Sequence, residues 1–212
     1  MTTTDFFTRC YKSARFNLAL RWFAGVLLGL GVGLANAQSI TDISQLRVER
    51  ADDDVLVSAQ LQFELPQAVE DALLKGIPMV FVAEADVLRE RWYWYDKKLA
   101  SAQRQMRLAY QPLTRRWRLN INAGGATGAP TGLALNQSLD SLAQALSAIK
   151  RVSRWRIADY ADLDPGLKYK VEFRFRLDLT QLPRPFQIGA LGQTEWDIAA
   201  TAVTPLSLEN TK

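Results

Sequence analysis

Histidine is absent from the 212-residue chain, and cysteine occurs once, as Cys10. Without an imidazole there can be no Ser–His–Asp triad and no histidine metal site. Cys10 precedes an N-terminal apolar run, so residues 38–212 offer no thiol nucleophile, no thiolate zinc site and no disulfide. The glycines of Asn122–Gly132 are not followed by a Lys-Ser or Lys-Thr pair, which excludes a phosphate-loop pattern. No internal repeat is visible. No cofactor or metal is expected and no residue stands out as catalytic. The chemistry left is that of carboxylates and of Ser–Lys pairs.

The apolar run itself, Trp22–Ala35, has fourteen residues, short of the roughly 20 that a helix needs to span a bilayer. Arg9, Lys12, Arg15 and Arg21 precede it, and "ANA" ends it. Small residues at Ala35 and Ala37 fit the pockets of signal peptidase, so cleavage after Ala37 is expected, an uncleaved anchor being the alternative. Residues 1–37 then form a signal peptide, and residues 38–212 a single β-rich exported domain, periplasmic and without a stable membrane span. That domain carries 22 basic and 21 acidic residues, a net charge of +1. Nucleic acid is therefore not an expected partner. At 175 residues the domain can bury roughly 70% of the surface its unfolded form exposes, and it must do so without covalent staples.

Periodicity predicts the elements. "LRVER-ADDD-VLVSAQLQFEL" reads as a hairpin turning at Asp52–Asp54, since Val55, Val57, Ala59, Leu61, Phe63 and Leu65 alternate with polar partners. Pro66 stops the strand, and "QAVEDALLKG" is a short helix closed by Gly76. Strands are expected at Ile77–Leu88, Ser101–Tyr110 and Trp117–Ile121. Asn122–Gly132 reads as a flexible loop. "SLDSLAQALSAIKR" predicts a helix capped at Ser138, with an apolar stripe from Leu139 to Ile149. Tyr169, Val171, Phe173, Phe175, Leu177 and Leu179 mark a clear strand, with a last one in "TEWDIAATAV". The fold class expected is mainly β: an antiparallel β-sandwich or strongly curled sheet of about seven strands with two helices. An α+β open antiparallel sheet with helices on one face is the alternative.

Four aromatic rings in a row, Trp92 to Tyr95, stand inside "RERWYWYDKK". In an extended chain Trp92 and Trp94 point one way and Tyr93 and Tyr95 the other. The leading expectation is a strand or bend buried on both faces. The rival is a binding platform, in which Arg89, Arg91, Trp92, Trp94, Lys97 and Lys98 stack on and grip an anionic ligand. A membrane-facing belt is the third reading.

The stretch from Lys75 through "GIPMVFVAEADVLRERWYWYDKKLASAQRQMRLAYQPLTRRWRL", with "LPRPFQIGALGQTEWD", resembles a family of exported proteobacterial proteins. That family is known as domain of unknown function 4390, or proline-rich signal peptide proteins. The resemblance covers Ile40 to Ala199 and implies a Gram-negative exported protein, with no catalytic residues or cofactor to transfer. The family's genes often neighbour that of a membrane sensor kinase of the nitrogen-regulation type, which implies an envelope protein as one class of partner. The small-molecule ligand is left open.

Glu84 and Asp86 share one strand face and roughly meet the spacing of a glycosidase pair. Alternation with Phe81, Ala83, Ala85 and Val87 predicts instead that both face solvent. Asp162, Asp164 and Gly166 echo a calcium loop, but Phe173 stands where its final acid belongs. Arg174, Arg176 and the "RRWR" of Arg115–Arg118 form basic ridges, read as solvated faces with an anion site as the alternative. Two function classes follow: a non-catalytic exported binding or accessory module of the cell envelope, or a carboxylate-dependent hydrolase of envelope polymers. The first test is of export. N-terminal sequencing of the protein recovered from the periplasm should begin at Gln38; a full-length chain in the membrane pellet would contradict it.

Overall fold

The computed structural model describes residues 41–93, 95–124, 130–164, 166–190 and 196–206. Residues 39–212 form one compact unit, and every residue of its core lies between Val55 and Leu206. Among the described residues, nine antiparallel strands build two sheets. The smaller sheet has the order β1 (Asp42–Ala51), β2 (Asp54–Gln62), β7 (Arg151–Asp159). The larger runs β6 (Pro130–Leu139), β5 (Arg116–Gly124), β4 (Lys97–Gln111), β3 (Met79–Arg89), β8 (Tyr169–Leu177), β9 (Ala199–Leu206). β7 packs over β3 and β4, and β1 lies alongside β9. The domain is thus mainly β, with two sheets around one core.

Alternation puts the core where the sequence predicts it. Val55, Val57, Ala59 and Leu61 of β2 are buried against Phe81, Ala83, Ala85 and Val87 of β3 and against Tyr169, Val171, Phe173 and Phe175 of β8. Phe63, Phe81 and Phe175 pack with ring centroids 5.4–5.9 Å apart, Phe81 stacked on Phe175 and Phe63 tilted against both. Helix α1 (Gln67–Leu74) ends in a paired C-terminal motif, with Gly76 N–H bonding to Leu73 O and Ile77 N–H to Ala72 O. Gly76 has φ +83°, the left-handed conformation this motif requires.

Apart from the aromatic run, the elements depart from the pattern in four places. The helix expected from Ser138 starts only at Leu142 and runs to Lys150 as α2, because Leu139 belongs to β6 and pairs with Trp117. Its cap is Ser141, whose hydroxyl accepts from Gln144 N–H. β6 begins inside the glycine-rich stretch read as a loop, and its proline sits at an edge strand where no ladder donor is needed. β7 lacks clean alternation because its register against β2 shifts between Val57 and Ala59, with Arg154 at φ 42°. Val152 and Trp155, three apart, therefore both reach the core. A third helix, α3 (Arg184–Ala190), follows Pro183. Its Pro185 stands in the first turn, where proline starts a helix instead of stopping it.

The aromatic run is the largest correction. It forms no buried strand, but the loop closing the β3–β4 hairpin. Trp92, Tyr93 and Tyr95 are 93%, 70% and 89% exposed; Trp94 lies outside the described residues. Strand pairing reaches only to Arg89 and Lys97, so the rings project past the end of the core. Stability measurements should separate the two sets of rings. Phe81→Ala removes a stacked core ring and is expected to cost about 3–5 kcal/mol on denaturant unfolding. Trp92→Ala and Tyr95→Ala should each stay within about 0.5 kcal/mol of wild type. A collapse of stability in either loop variant would restore the core reading.

Candidate functional site

β3 and β4 form the longest hairpin, and its far end gathers most of the residues singled out in the sequence. An extra residue in β4, Leu99, shifts the register between Val87 and Leu88. Lys98 thereby pairs with Leu88 and faces outward, while Arg89 and Lys97 share a face with Tyr169. Cations thus flank the base of the loop on both sides. The loop is tied down at two points. Glu90 N–H bonds to Lys168 O at 3.0 Å. Asp96 accepts from Arg91 N–H at 3.4 Å and pairs with Lys170 Nζ at 2.6 Å. The hydrogen bond from Lys170 holds the Asp96 carboxyl below the usual range, and the Lys170 ammonium is pushed up in turn.

Beyond these ties the rings of Trp92 and Tyr93 meet edge-to-face at 4.9 Å. Arg89, Glu90, Arg91, Trp92, Tyr93 and Leu167 line an open cleft of about 530 Å³ between the loop and the turn before β8. Among the described residues, Arg89, Arg91, Lys97 and Lys168 have no carboxylate partner. Arg89, Arg91, Trp92 and Lys97 are therefore brought together as the platform reading requires. Lys98 is not, because its ammonium turns back to Asp86. Tyr93 and Tyr95, read as the other face of the run, complete the tip together with Lys168 and Leu167, which were not singled out. The last two reach it through the pairing of Arg89 with Tyr169, which no local pattern reveals.

Glu84 and Asp86 correct a second expectation. Asp86 does not face solvent; it is 1% exposed, the one charged residue among the buried side chains of the described residues. Its carboxylate accepts from Ser101 Oγ at 2.6 Å and pairs with Lys98 Nζ at 2.7 Å and Arg174 Nη2 at 2.5 Å. Burial pushes its pKa up, but the hydrogen bonds from Lys98 and Ser101 and the charges of Lys98 and Arg174 outweigh it, leaving the carboxyl below its ordinary value. Glu84 meets Arg176 Nη2 at 3.0 Å and Arg174 Nη2 at 3.4 Å. Arg174 also reaches Glu172 at 3.4 Å. The ridge of Arg174 and Arg176 is thus neutralised by its own sheet. Arg116 of the second ridge pairs with Asp140 at 2.9 Å.

One cation faces the other way. Arg104 of β4 pairs with Ala83 and Ala123 on the inner face, its guanidinium 5.1 Å from the centroid of the Trp155 ring. Burial pushes its pKa down, and its Nε has no hydrogen-bond partner. Attraction to the ring face offsets part of that cost. Around Asp162 and Asp164, as elsewhere among the described residues, no three acidic, histidine or cysteine side chains converge as metal ligands. No helix among the described residues is long and apolar enough to cross a membrane.

The model of one protein family, described as a domain of unknown function (DUF4390), matches residues 38–205. No curated protein and no solved structure matches the chain.

Asp86 yields a pH test. Its folded pKa is depressed, so its contribution is present above the unfolded value of about 3.9 and is lost as pH falls through the folded value. Asp86→Asn should therefore destabilise the domain at neutral pH by about 1–3 kcal/mol. It should also flatten the acid limb of stability below about pH 4. An unchanged acid limb would show that the pairing carries no stability.

Proposed function

The chain belongs to the DUF4390 family, a domain of unknown function, and we propose that it is a non-catalytic, exported binding or accessory module of the cell envelope. Its binding element is the tip of the β3–β4 hairpin. One observation carries this reading: Trp92, Tyr93 and Tyr95 project into solvent beside four cations that lack carboxylate partners among the described residues. Exposed aromatic clusters of this kind mark interaction surfaces, because leaving large apolar rings in water costs solubility unless something covers them. The loop's ties to Lys168 and Lys170 hold the rings in place, which lowers the ordering cost on binding. The leader and cleavage pattern of residues 1–37 support export. A membrane sensor kinase is one envelope protein of the kind such a module serves.

The hydrolase alternative draws little support from the carboxylates. A general acid needs a raised pKa, whereas Asp86 is held ionised and Glu84 is gripped by two guanidinium groups.

A photo-crosslinking amino acid placed at position 92 tests the reading in living cells. It should give discrete adducts, whether to lipid or to protein. The same group at the exposed Thr201 of β9 should give none. Absence of adducts at position 92, or equal labelling at both, would remove the tip as the binding element.

A further inference from the structure

We propose that the β3–β4 tip docks on the surface of an anionic phospholipid bilayer, with its rings at headgroup level and its cations against the lipid phosphates. This rests on the reading of the tip as the binding element and names what it binds.

Shape is the first argument. A small ligand is recognised by being enclosed, but these rings stand at the most protruding part of the hairpin, and the cleft beside them is open. Whatever covers them must surround the tip. A protein partner of standard size would bury about 800 Å² on each side, some 20–30 residues. The loop between the paired strands is only Glu90–Asp96. On the adjoining outer face of β3 and β8 the charges of Glu84, Asp86, Arg174 and Arg176 are already paired with one another, which leaves a protein partner no unpaired ionic anchor there. A bilayer interface needs no wider complementary surface.

Residue chemistry is the second. Trp and Tyr combine an apolar ring with a polar edge, and these are the side chains that settle at the membrane–water interface. The loop reaches only headgroup depth, where water remains, so its backbone groups need no sheet partners.

Charge is the third. Residues 86–98 and 168–170 hold six basic and three acidic side chains, a net charge of +3. Residues 38–212 as a whole carry +1, so the remainder of the domain is net −2. The charge is polarised along the molecule with its positive end at the exposed rings. Near an anionic bilayer that orients the tip inward and the rest of the domain outward. Arg89 and Lys97, paired at the hairpin base, and Arg91 in the loop have no carboxylate partner among the described residues, so they bring an inserted tip against phosphates.

The test is co-flotation of residues 38–212, which hold the whole core, with vesicles of phosphatidylglycerol and phosphatidylcholine or of phosphatidylcholine alone. Wild type should float with the anionic vesicles and not with the neutral ones, and binding should weaken as salt rises from about 0.1 to about 0.5 M. Each cation contributes roughly fivefold to partition, so Arg89→Gln, Arg91→Gln and Lys97→Gln together should weaken it on the order of 100-fold. Trp92→Ala with Tyr95→Ala should weaken it about tenfold while leaving the melting temperature unchanged. Arg107→Gln with Arg118→Gln, exposed cations on β4 and β5 away from the tip, should change nothing. Glycerophosphate should not displace the vesicles. Failure to float, displacement by glycerophosphate, or equal weakening by the β4/β5 pair would overturn the bilayer. If flotation fails while crosslinks at position 92 persist, the lipid inference falls and the binding-module reading stands with a protein partner. If both fail, both fall.

Discussion

Strand β3 is hydrogen-bonded along both edges and covered on both faces, and that double enclosure constrains the larger sheet. Its inner residues, Phe81 to Val87, fill the space between the sheets. Its outer face must then carry Asp86 with almost no water. A carboxylate in that position has two options, to take up a proton or to be surrounded by donors. Here the donors come from both neighbours, Ser101 and Lys98 on β4 and Arg174 on β8. The ion-pair cluster therefore reads the register on each side of β3. A slip by one residue would turn Asp86 into the phenylalanine core and Ala85 toward the arginines, an outcome too costly to be populated.

The same register decides what happens at the end of the hairpin. With β3 and β4 locked, Leu99 is accommodated as an extra residue, and Lys97 and Lys98 are sent to opposite faces. The loop is anchored by Asp96 through Lys170 of β8 and by Glu90 through Lys168 on the chain entering that strand. A stable interior thus holds an exposed aromatic tip in a fixed attitude. Rings that contribute nothing to the core are free to serve recognition, and two of the nearby acids, Asp86 and Asp96, are taken up by other cations. The contrast with Arg174 and Arg176 is instructive. These look equally basic in sequence but are neutralised within the sheet.

Much of the fold was legible in the chain itself. Alternation in β2 and in β8, the Asp-rich turn at Asp52–Asp54 and the glycine closing α1 each report a local rule that was met, except that β8 stops at Leu177 and the expected Leu179 opens a 3-10 turn instead. The misses occurred where a local rule was outvoted. β7 lost its alternation to register shifts against β2, and β6 began within glycine-rich sequence because β5 offered it an edge. Leu139 fitted a helical stripe but paired with Trp117. The aromatic run carries the rings of a buried strand, but propensity reports which rings favour pleated backbone and not whether a second layer covers them. The candidate site was half legible for the same reason. Arg89, Arg91, Trp92 and Lys97 are contiguous in sequence, whereas Lys168, Lys170 and Leu167 join them only through β3–β8 pairing.

Sequence alone determined the absence of thiol and imidazole chemistry in residues 38–212, the β-rich class, the alternating core of β2, β3 and β8, and the family. These are properties of composition and short-range period, which a chain carries before it folds. Tertiary structure decided the exposure of Trp92, Tyr93 and Tyr95, the burial of Asp86, the turning of Lys98 away from the tip and of Arg104 into the interior. Each depends on which strand lies next to which, and at what register. Residues far apart in the chain set that register through packing between sheets, so no window of sequence contains it.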